Sequence, residues 1–124
     1  MRILLADDQI EVRSGLRILL EQEPHVKVVG EAGGIRELLA QVLETGPDMV
    51  LLDWELSNLN MADFVPVLRA LHTGLSIVAL SGRPESRSSA AAAGVDVFVS
   101  KGDQPEKLLE AINGICNEKN CPGA

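Results

Sequence analysis

Apolar residues follow two alternating spacings along this chain. Five short apolar runs have the length and composition of strands: residues 2–6, 26–31, 49–52, 76–80 and 95–99. After the first run, Val12, Leu16, Leu19 and Leu20 recur at three- and four-residue intervals, which is the spacing of a helix face. The same spacing returns between the later runs. Regular alternation of strands and helices predicts a parallel sheet covered by helices on both faces.

The later segments complete the predicted architecture. Apolar spacing predicts helices over residues 38–43 and 61–71, around residues 86–94, and over residues 104–115. Residues 49–52 form the most apolar run, so we expect them to be a central strand buried on both faces. The predicted fold class is α/β, a doubly wound five-stranded parallel sheet, and right-handed crossovers restrict its topology.

Composition and charge limit the classes of function. The chain has 124 residues, of which 46% are hydrophobic, as expected for one domain with a real core. A formal net charge of −7 argues against direct nucleic-acid contact, since phosphate binding needs clustered Lys and Arg. We expect no membrane contact, because no apolar run approaches the roughly 20 residues of a membrane helix, and a cytoplasmic location, because no signal-peptide pattern is seen.

The C-terminal end of the chain carries both cysteines. We expect Cys116 and Cys121 to be reduced thiols and not zinc ligands, because His25 and His72 lie far away in the sequence. The predicted domain covers residues 1–118, with residues 119–124 as a tail or the start of a linker.

Polar, chemically active residues stand at the ends of four strands. Asp7 and Asp8 follow the first run, Asp53 the third, Ser81 the fourth and Lys101 the fifth. In a parallel sheet these ends meet at one edge, where open α/β sheets place their binding sites. Taken singly, each residue has an ordinary interpretation as a helix cap, a loop acid or a turn residue. Their joint placement predicts a shared site.

Three neighbouring carboxylates favour a cation, and Mg²⁺ suits their oxygen ligands. A buried carboxylate can also act as a nucleophile toward phosphorus and form an aspartyl-phosphate. The ammonium of Lys101 could neutralise phosphoryl oxygens, the Ser81 hydroxyl could donate to one, and the backbone N–H of Gly82 could approach one closely.

With these residues in view, the chain resembles the receiver domains of two-component response regulators, whose fold is the flavodoxin-like (βα)5 arrangement. The residues that carry the resemblance are Asp7-Asp8, Asp53, Ser81-Gly82 and Phe98-Val99-Ser100-Lys101. The likeness covers nearly the whole chain. The sequence is similar to those of receivers that precede a LuxR-type helix-turn-helix output domain.

The resemblance implies a phosphoryl-transfer site. Asp53 would accept a phosphoryl group from a sensor histidine kinase. Asp8, Asp53 and the backbone carbonyl of Glu55 would bind Mg²⁺ directly, with Asp7 acting through water. Lys101 would pair with the phosphate.

The resemblance also implies a switch. Ser81 would move toward the phosphoryl group and Phe98 would change rotamer behind it. This would alter the surface of the fourth and fifth strands and helices. Such a protein is a signalling domain with its own phosphorylation and dephosphorylation chemistry, not a conventional enzyme. A homodimer on phosphorylation and control of transcription through a separate output domain are the further expectations.

Several positions depart from the family pattern. Ser57 stands where receivers usually have proline, and Met61 where they often have glycine. We therefore expect the loop after the third strand to be more mobile or differently shaped. The interval between Ser81 and Lys101 is shorter than usual, which predicts a short fourth helix without large apolar residues. Glu55 adds negative charge near the site, and we expect it to affect the lifetime of the phosphoryl group.

Three other interpretations compete with this one. A phosphatase of the haloacid dehalogenase type would also use an aspartate and Mg²⁺, but it would carry D-x-D after its first strand. A flavodoxin-like nucleotide binder would need a Gly- or Ser/Thr-rich loop there. A pseudo-receiver that acts without phosphorylation would have the same fold. The single tryptophan, Trp54, could line the site or pack against a helix.

Overall fold

The computed structural model describes residues 1–119, which form a five-stranded parallel sheet. The strands are β1 (Arg2–Ala6), β2 (Lys27–Ala32), β3 (Met49–Asp53), β4 (Ser76–Ser81) and β5 (Val97–Ser100). Their spatial order is β2-β1-β3-β4-β5, and every pairing is parallel. The doubly wound α/β prediction is therefore confirmed.

Helices cover both faces of this sheet. They are α1 (Ile10–Leu20), α2 (Ile35–Thr45), α3 (Val65–Leu71), α4 (Ser86–Ala93) and α5 (Pro105–Glu118). Buried residues of α2, α3 and α4 pack on one face, and those of α1 and α5 pack on the other. The residues of β3 are all buried, as predicted for a central strand between two helical layers.

The third helix is shorter than the sequence pattern indicates. Apolar spacing predicts a helix over residues 61–71, but α3 begins at Val65, and a separate 3₁₀ turn spans Met61–Phe64. Pro66 accounts for the difference, because proline has no N–H and its ring clashes with the carbonyl four residues earlier. Proline is tolerated in the first turn of a helix, where it lies here.

The fourth helix is short, as predicted. It has eight residues, and Ala90 is its buried residue, so it packs through a small methyl side chain. Large apolar anchors are therefore missing from this element. Ser86 and Arg87 in its first turn make polar contacts that are described with the site below.

The C-terminal helix carries Cys116, which is fully buried. Cys116 is not a free thiol, so the expectation of a reduced cysteine here is wrong, while Cys121 lies outside the described residues. Residues 120–124 of the predicted tail also lie outside them. Among residues 1–119, no helix has the length and apolar character needed to cross a membrane.

Candidate functional site

The register of the sheet brings the carboxyl ends of four strands to one edge. Ala6 pairs with Leu52, Asp53 with Leu80, and Ser81 with Ser100. Because the strands are parallel and end at nearly the same height in the sheet, the residues that end or follow them share one crevice.

Three of the residues in this crevice are acids. Asp7, Asp8 and Asp53 each offer a carboxylate oxygen, and these oxygens lie within 4.8 Å of one another. Asp7 is 1% exposed and Asp53 3% exposed, whereas Asp8 faces solvent. Two unit charges at this separation repel by about 3.5 kcal/mol at an effective dielectric constant near 20. A divalent cation bound to carboxylate oxygens would relieve that repulsion, so the donor set fits Mg²⁺.

Lys101 neutralises part of this charge. Its Nζ lies 2.8 Å from Asp7 Oδ2 and 3.4 Å from Asp53 Oδ1, and its side chain is 28% exposed. Partial burial by itself would lower the pKa of Lys101, but the two carboxylates outweigh burial and raise it. The ammonium form is therefore retained at neutral pH.

Asp53 lies in an environment that disfavours its charge. Burial raises its pKa first, the nearby Asp7 charge raises it further, and the backbone N–H of Glu55 and the ammonium of Lys101 only partly compensate. The Glu55 N–H donates to Asp53 Oδ1 at 3.0 Å. An incompletely compensated carboxylate at the edge of a cleft is suited to react with an electrophile or bind a cation.

Asp7 is held by its own surroundings. Its Oδ1 accepts a hydrogen bond from the Gln9 backbone N–H at 2.9 Å, and its Oδ2 accepts one from Lys101. Arg13 donates to the Asp7 backbone carbonyl at 2.6 Å. Neither acid of the pair is the N-cap of α1, because that position is Gln9. With both Asp7 oxygens engaged, Asp8 and Asp53 remain the better placed to ligate a cation directly.

Ser81 is fully buried at the end of β4, and its hydroxyl is engaged. The hydroxyl donates to the carboxylate of Glu55, with Oγ 2.8 Å from Oε2 and 2.9 Å from Oε1. It also accepts from the Arg83 backbone N–H at 3.0 Å. The sequence indicates a charge at Glu55 near the site but does not predict this bond, because the two residues are 26 positions apart in the chain.

Phe98 lies on β5 and is partly exposed. The guanidinium of Arg87 lies over its ring, 4.6 Å from the centroid, which is a cation–π distance. Arg87 belongs to the first turn of α4, so this contact joins α4 to β5. Arg87 has no signal in the sequence, because only folding brings it against the aromatic ring.

A cleft of about 380 Å³ opens above the acids. Asp8, Asp53, Glu55, Gly82 and Lys101 line it, all of which the sequence analysis selected. Gln9, Asn58 and Arg83 line it as well. These three were not predicted from the sequence, although Gln9 and Arg83 adjoin predicted site residues. Asp7 and Phe98 are not among the residues that line this cleft.

The loop after β3 has an uncommon backbone conformation. Ser57 and Asn58 both have left-handed backbone torsions, with φ of 56° and 55°. Proline could not adopt the Ser57 conformation, because its ring fixes φ near −65°. Met61 is fully buried in the core, and Trp54 is 6% exposed and packs in the same cluster. Trp54 therefore packs on the core, and it also lines a cavity that shares Glu55, Asn58 and Arg83 with the cleft.

Comparison with known proteins identifies the family. The pattern of the response regulator receiver domain matches residues 3–113. The chain belongs to this family. A two-component response regulator of the LuxR family from Aurantimonas sp. SI85-9A1 superimposes on the receiver with a TM-score of 0.86 at 30% identity. That match covers 94% of this chain and 85% of the other. A CheY-like receiver from Methanospirillum hungatei JF-1 shares the fold, with a TM-score of 0.83 at 24% identity over 98% of each chain.

Curated relatives extend the comparison to complete regulators. The nitrate/nitrite response regulator NarL of Escherichia coli K12 is 30% identical over 113 residues, which are 90% of the receiver and 52% of that protein. The Haemophilus influenzae homologue of this regulator is 29% identical over 117 residues, 93% of the receiver and 56% of that protein. The receiver thus spans about half the length of these relatives. It is a signalling domain of a two-component system and not a classical enzyme.

Proposed function

We propose that this receiver accepts a phosphoryl group on Asp53 from a phosphohistidine of a sensor kinase and that the reaction depends on Mg²⁺. The observation that carries the proposal is the buried Asp53 carboxylate at the floor of the cleft, 3.4 Å from the Lys101 ammonium and within 4.8 Å of two other acids. Family membership favours this chemistry over the phosphatase and nucleotide-binding interpretations.

Asp53 is the nucleophile in this proposal. The Glu55 N–H and the Lys101 ammonium both contact Oδ1, which makes Oδ2 the oxygen that attacks phosphorus. An Oδ2–P bond forms as the P–N bond to the kinase histidine breaks, and the electron pair of that bond returns to the imidazole nitrogen. The kinase imidazole carries a proton on its other ring nitrogen before the transfer, so the products are an aspartyl-phosphate and a neutral histidine.

The other residues stabilise charge around the transferred group. Lys101 is drawn from Asp53 toward a phosphoryl oxygen, while its bond to Asp7 keeps it oriented. The backbone N–H of Gly82 and the Ser81 hydroxyl are the proposed donors to the remaining oxygens. Asp8, Asp53 and the Glu55 carbonyl would hold Mg²⁺, which would offset the negative charge that builds up on the phosphoryl oxygens.

The readout is a rearrangement of Ser81 and Phe98 that changes the surface of β4, β5, α4 and α5. The receiver spans about half the length of the curated regulators that it matches, and one structural neighbour is a LuxR-family regulator. We therefore propose that the receiver controls a transcriptional output in a longer protein, through phosphorylation-dependent homodimerisation.

Intact mass spectrometry after incubation with acetyl phosphate and MgCl₂ tests the proposal. We expect a phosphoryl adduct in the wild type, none in Asp53→Asn, and an undiminished adduct in Asp48→Asn. Asp48 is the matched control, because it is an exposed aspartate that immediately precedes the same strand, at its opposite end. The buried Trp54 beside Asp53 should report the change by fluorescence. A wild type without adduct would support the pseudo-receiver interpretation instead.

A further inference from the structure

The carboxylate of Glu55 accepts a hydrogen bond from the Ser81 hydroxyl, the group that the proposed switch requires. Ser81 Oγ lies 2.8 Å and 2.9 Å from the two Glu55 oxygens, and Ser81 is 0% exposed. A hydroxyl has a single hydrogen to donate. While that hydrogen points at Glu55, it is not available to a phosphoryl oxygen on Asp53.

The same carboxylate also reaches α4. The Ser86 hydroxyl donates to Glu55 Oε2 at 3.4 Å, and Ser86 is the first residue of α4. The next residue, Arg87, lies over the ring of Phe98. Glu55 is thus linked on one side to the end of β4 and on the other to the helix turn that contacts the aromatic residue of β5.

We propose that Glu55 is a positioning residue, a latch that holds the Ser81 hydroxyl and the first turn of α4 in their phosphoryl-free arrangement. This inference rests on the proposed phosphorylation of Asp53. A phosphoryl group on Asp53 would compete for the Ser81 hydrogen and would repel the Glu55 carboxylate, which lines the same cleft. Once Glu55 leaves, the first turn of α4 loses its Ser86 bond, and Arg87 and Phe98 are released together.

The small packing area of α4 means that the loss of one polar contact can free its first turn. Ala90 is the buried residue of this helix, so little apolar surface holds it in place. One charge-assisted hydrogen bond at its first turn is then a large share of what fixes that turn. The latch favours the phosphoryl-free state, so its removal should increase affinity for a phosphoryl mimic.

Binding of beryllofluoride at saturating Mg²⁺, followed by fluorine NMR, measures that affinity. We expect Glu55→Ala to bind roughly tenfold more tightly than the wild type, the effect of losing one charge-assisted hydrogen bond. Glu85→Gln should stay within about twofold of the wild type. It is the matched control, because Glu85 is an exposed acid at the N-cap of the same helix. An unchanged affinity in Glu55→Ala would overturn the latch.

A double-mutant cycle distinguishes a latch from simple charge repulsion. If Glu55 acts through the Ser81 hydroxyl, the gain from Glu55→Ala should be lost in a Ser81→Ala background. An equal gain in that background would mean that Glu55 does not act through the Ser81 hydroxyl, and the latch as proposed would be wrong.

Amide hydrogen exchange in the phosphoryl-free protein tests the latch without any phosphoryl mimic. Residues 86–88 should exchange roughly tenfold faster in Glu55→Ala than in the wild type. Glu55→Gln should restore slow exchange, because its amide oxygen can still accept from Ser86, whose bond holds this turn. Unchanged exchange in Glu55→Ala would refute the latch. Failure of the wild type to bind beryllofluoride would refute the proposed phosphorylation. The exchange measurement would then be the test of the contacts that Glu55 makes.

Discussion

The backbone of Ser57 allows a stability prediction with opposite signs for two substitutions. Ser57 has φ 56° and ψ 20°, in the left-handed region. This conformation costs a residue with a Cβ about 1–2 kcal/mol relative to glycine. Glycine loses about 0.5–1 kcal/mol of that advantage through the greater freedom of its unfolded chain. Ser57→Gly should therefore stabilise the protein by about 0.5 kcal/mol.

Proline at the same position should do the reverse. Its ring fixes φ near −65°, so the backbone would have to rotate by about 120°. Proline also restricts the residue before it, which is Leu56, a fully buried member of the core. The turn and the Leu56 side chain would both have to move, at a cost of about 3 kcal/mol.

Thermal unfolding in EDTA, followed by circular dichroism, measures both effects. At about 4 °C per kcal/mol for a chain of this size, we expect Ser57→Gly to melt about 2 °C higher and Ser57→Pro about 12 °C lower than the wild type. Gln104→Pro is the control, because Gln104 is exposed and already has φ −65°. If Ser57→Pro melted like Gln104→Pro, the left-handed conformation of Ser57 would be wrong.

Further predictions concern the core, the site and one ion pair. Met61→Ala should lower the free energy of unfolding by about 2–5 kcal/mol in urea titrations, whereas Val67→Ala, at a 41% exposed position, should cost less than about 1 kcal/mol. Since the pKa of Asp53 is raised, its ionised form destabilises the fold above the ordinary pKa of 3.8. At pH 7 the free energy of unfolding of Asp53→Asn should therefore be about 1 kcal/mol higher than that of the wild type. Calorimetry should show this difference disappear as the pH falls toward 3.8. A difference that persisted at that pH would point to another cause. MgCl₂ at a hundred times its dissociation constant should stabilise the wild type by about 2.7 kcal/mol and Asp53→Asn much less, and equal shifts would contradict a site at Asp53. Burial raises the pKa of Glu31, but hydrogen bonds from Arg17 and Arg13 outweigh it and leave the pKa lowered. Glu31→Gln should therefore cost about 1 kcal/mol at pH 7, and the cost should shrink as the pH falls below 4.5 through the lowered pKa of the folded protein.

Local patterns in the sequence were enough to predict the elements and the chemistry of the strand ends. Apolar runs and helical spacing indicate five strand–helix units, because burial of one face imposes a period on the chain. The parallel sheet follows from that alternation, and with it the meeting of Asp8, Asp53, Ser81 and Lys101 at one edge. The third helix was predicted too long, because its apolar period continues through Pro66 while its backbone cannot.

Contacts between distant residues were decided by the tertiary structure alone. The bond from Ser81 to Glu55 joins residues 26 positions apart, and Lys101 reaches Asp7 over 94 positions. The left-handed torsion of Ser57 and the stacking of Arg87 on Phe98 also have no sequence signal. Periodicity reports which face of an element is buried, but the partner of a polar group depends on packing angles and distances that arise only when the elements assemble.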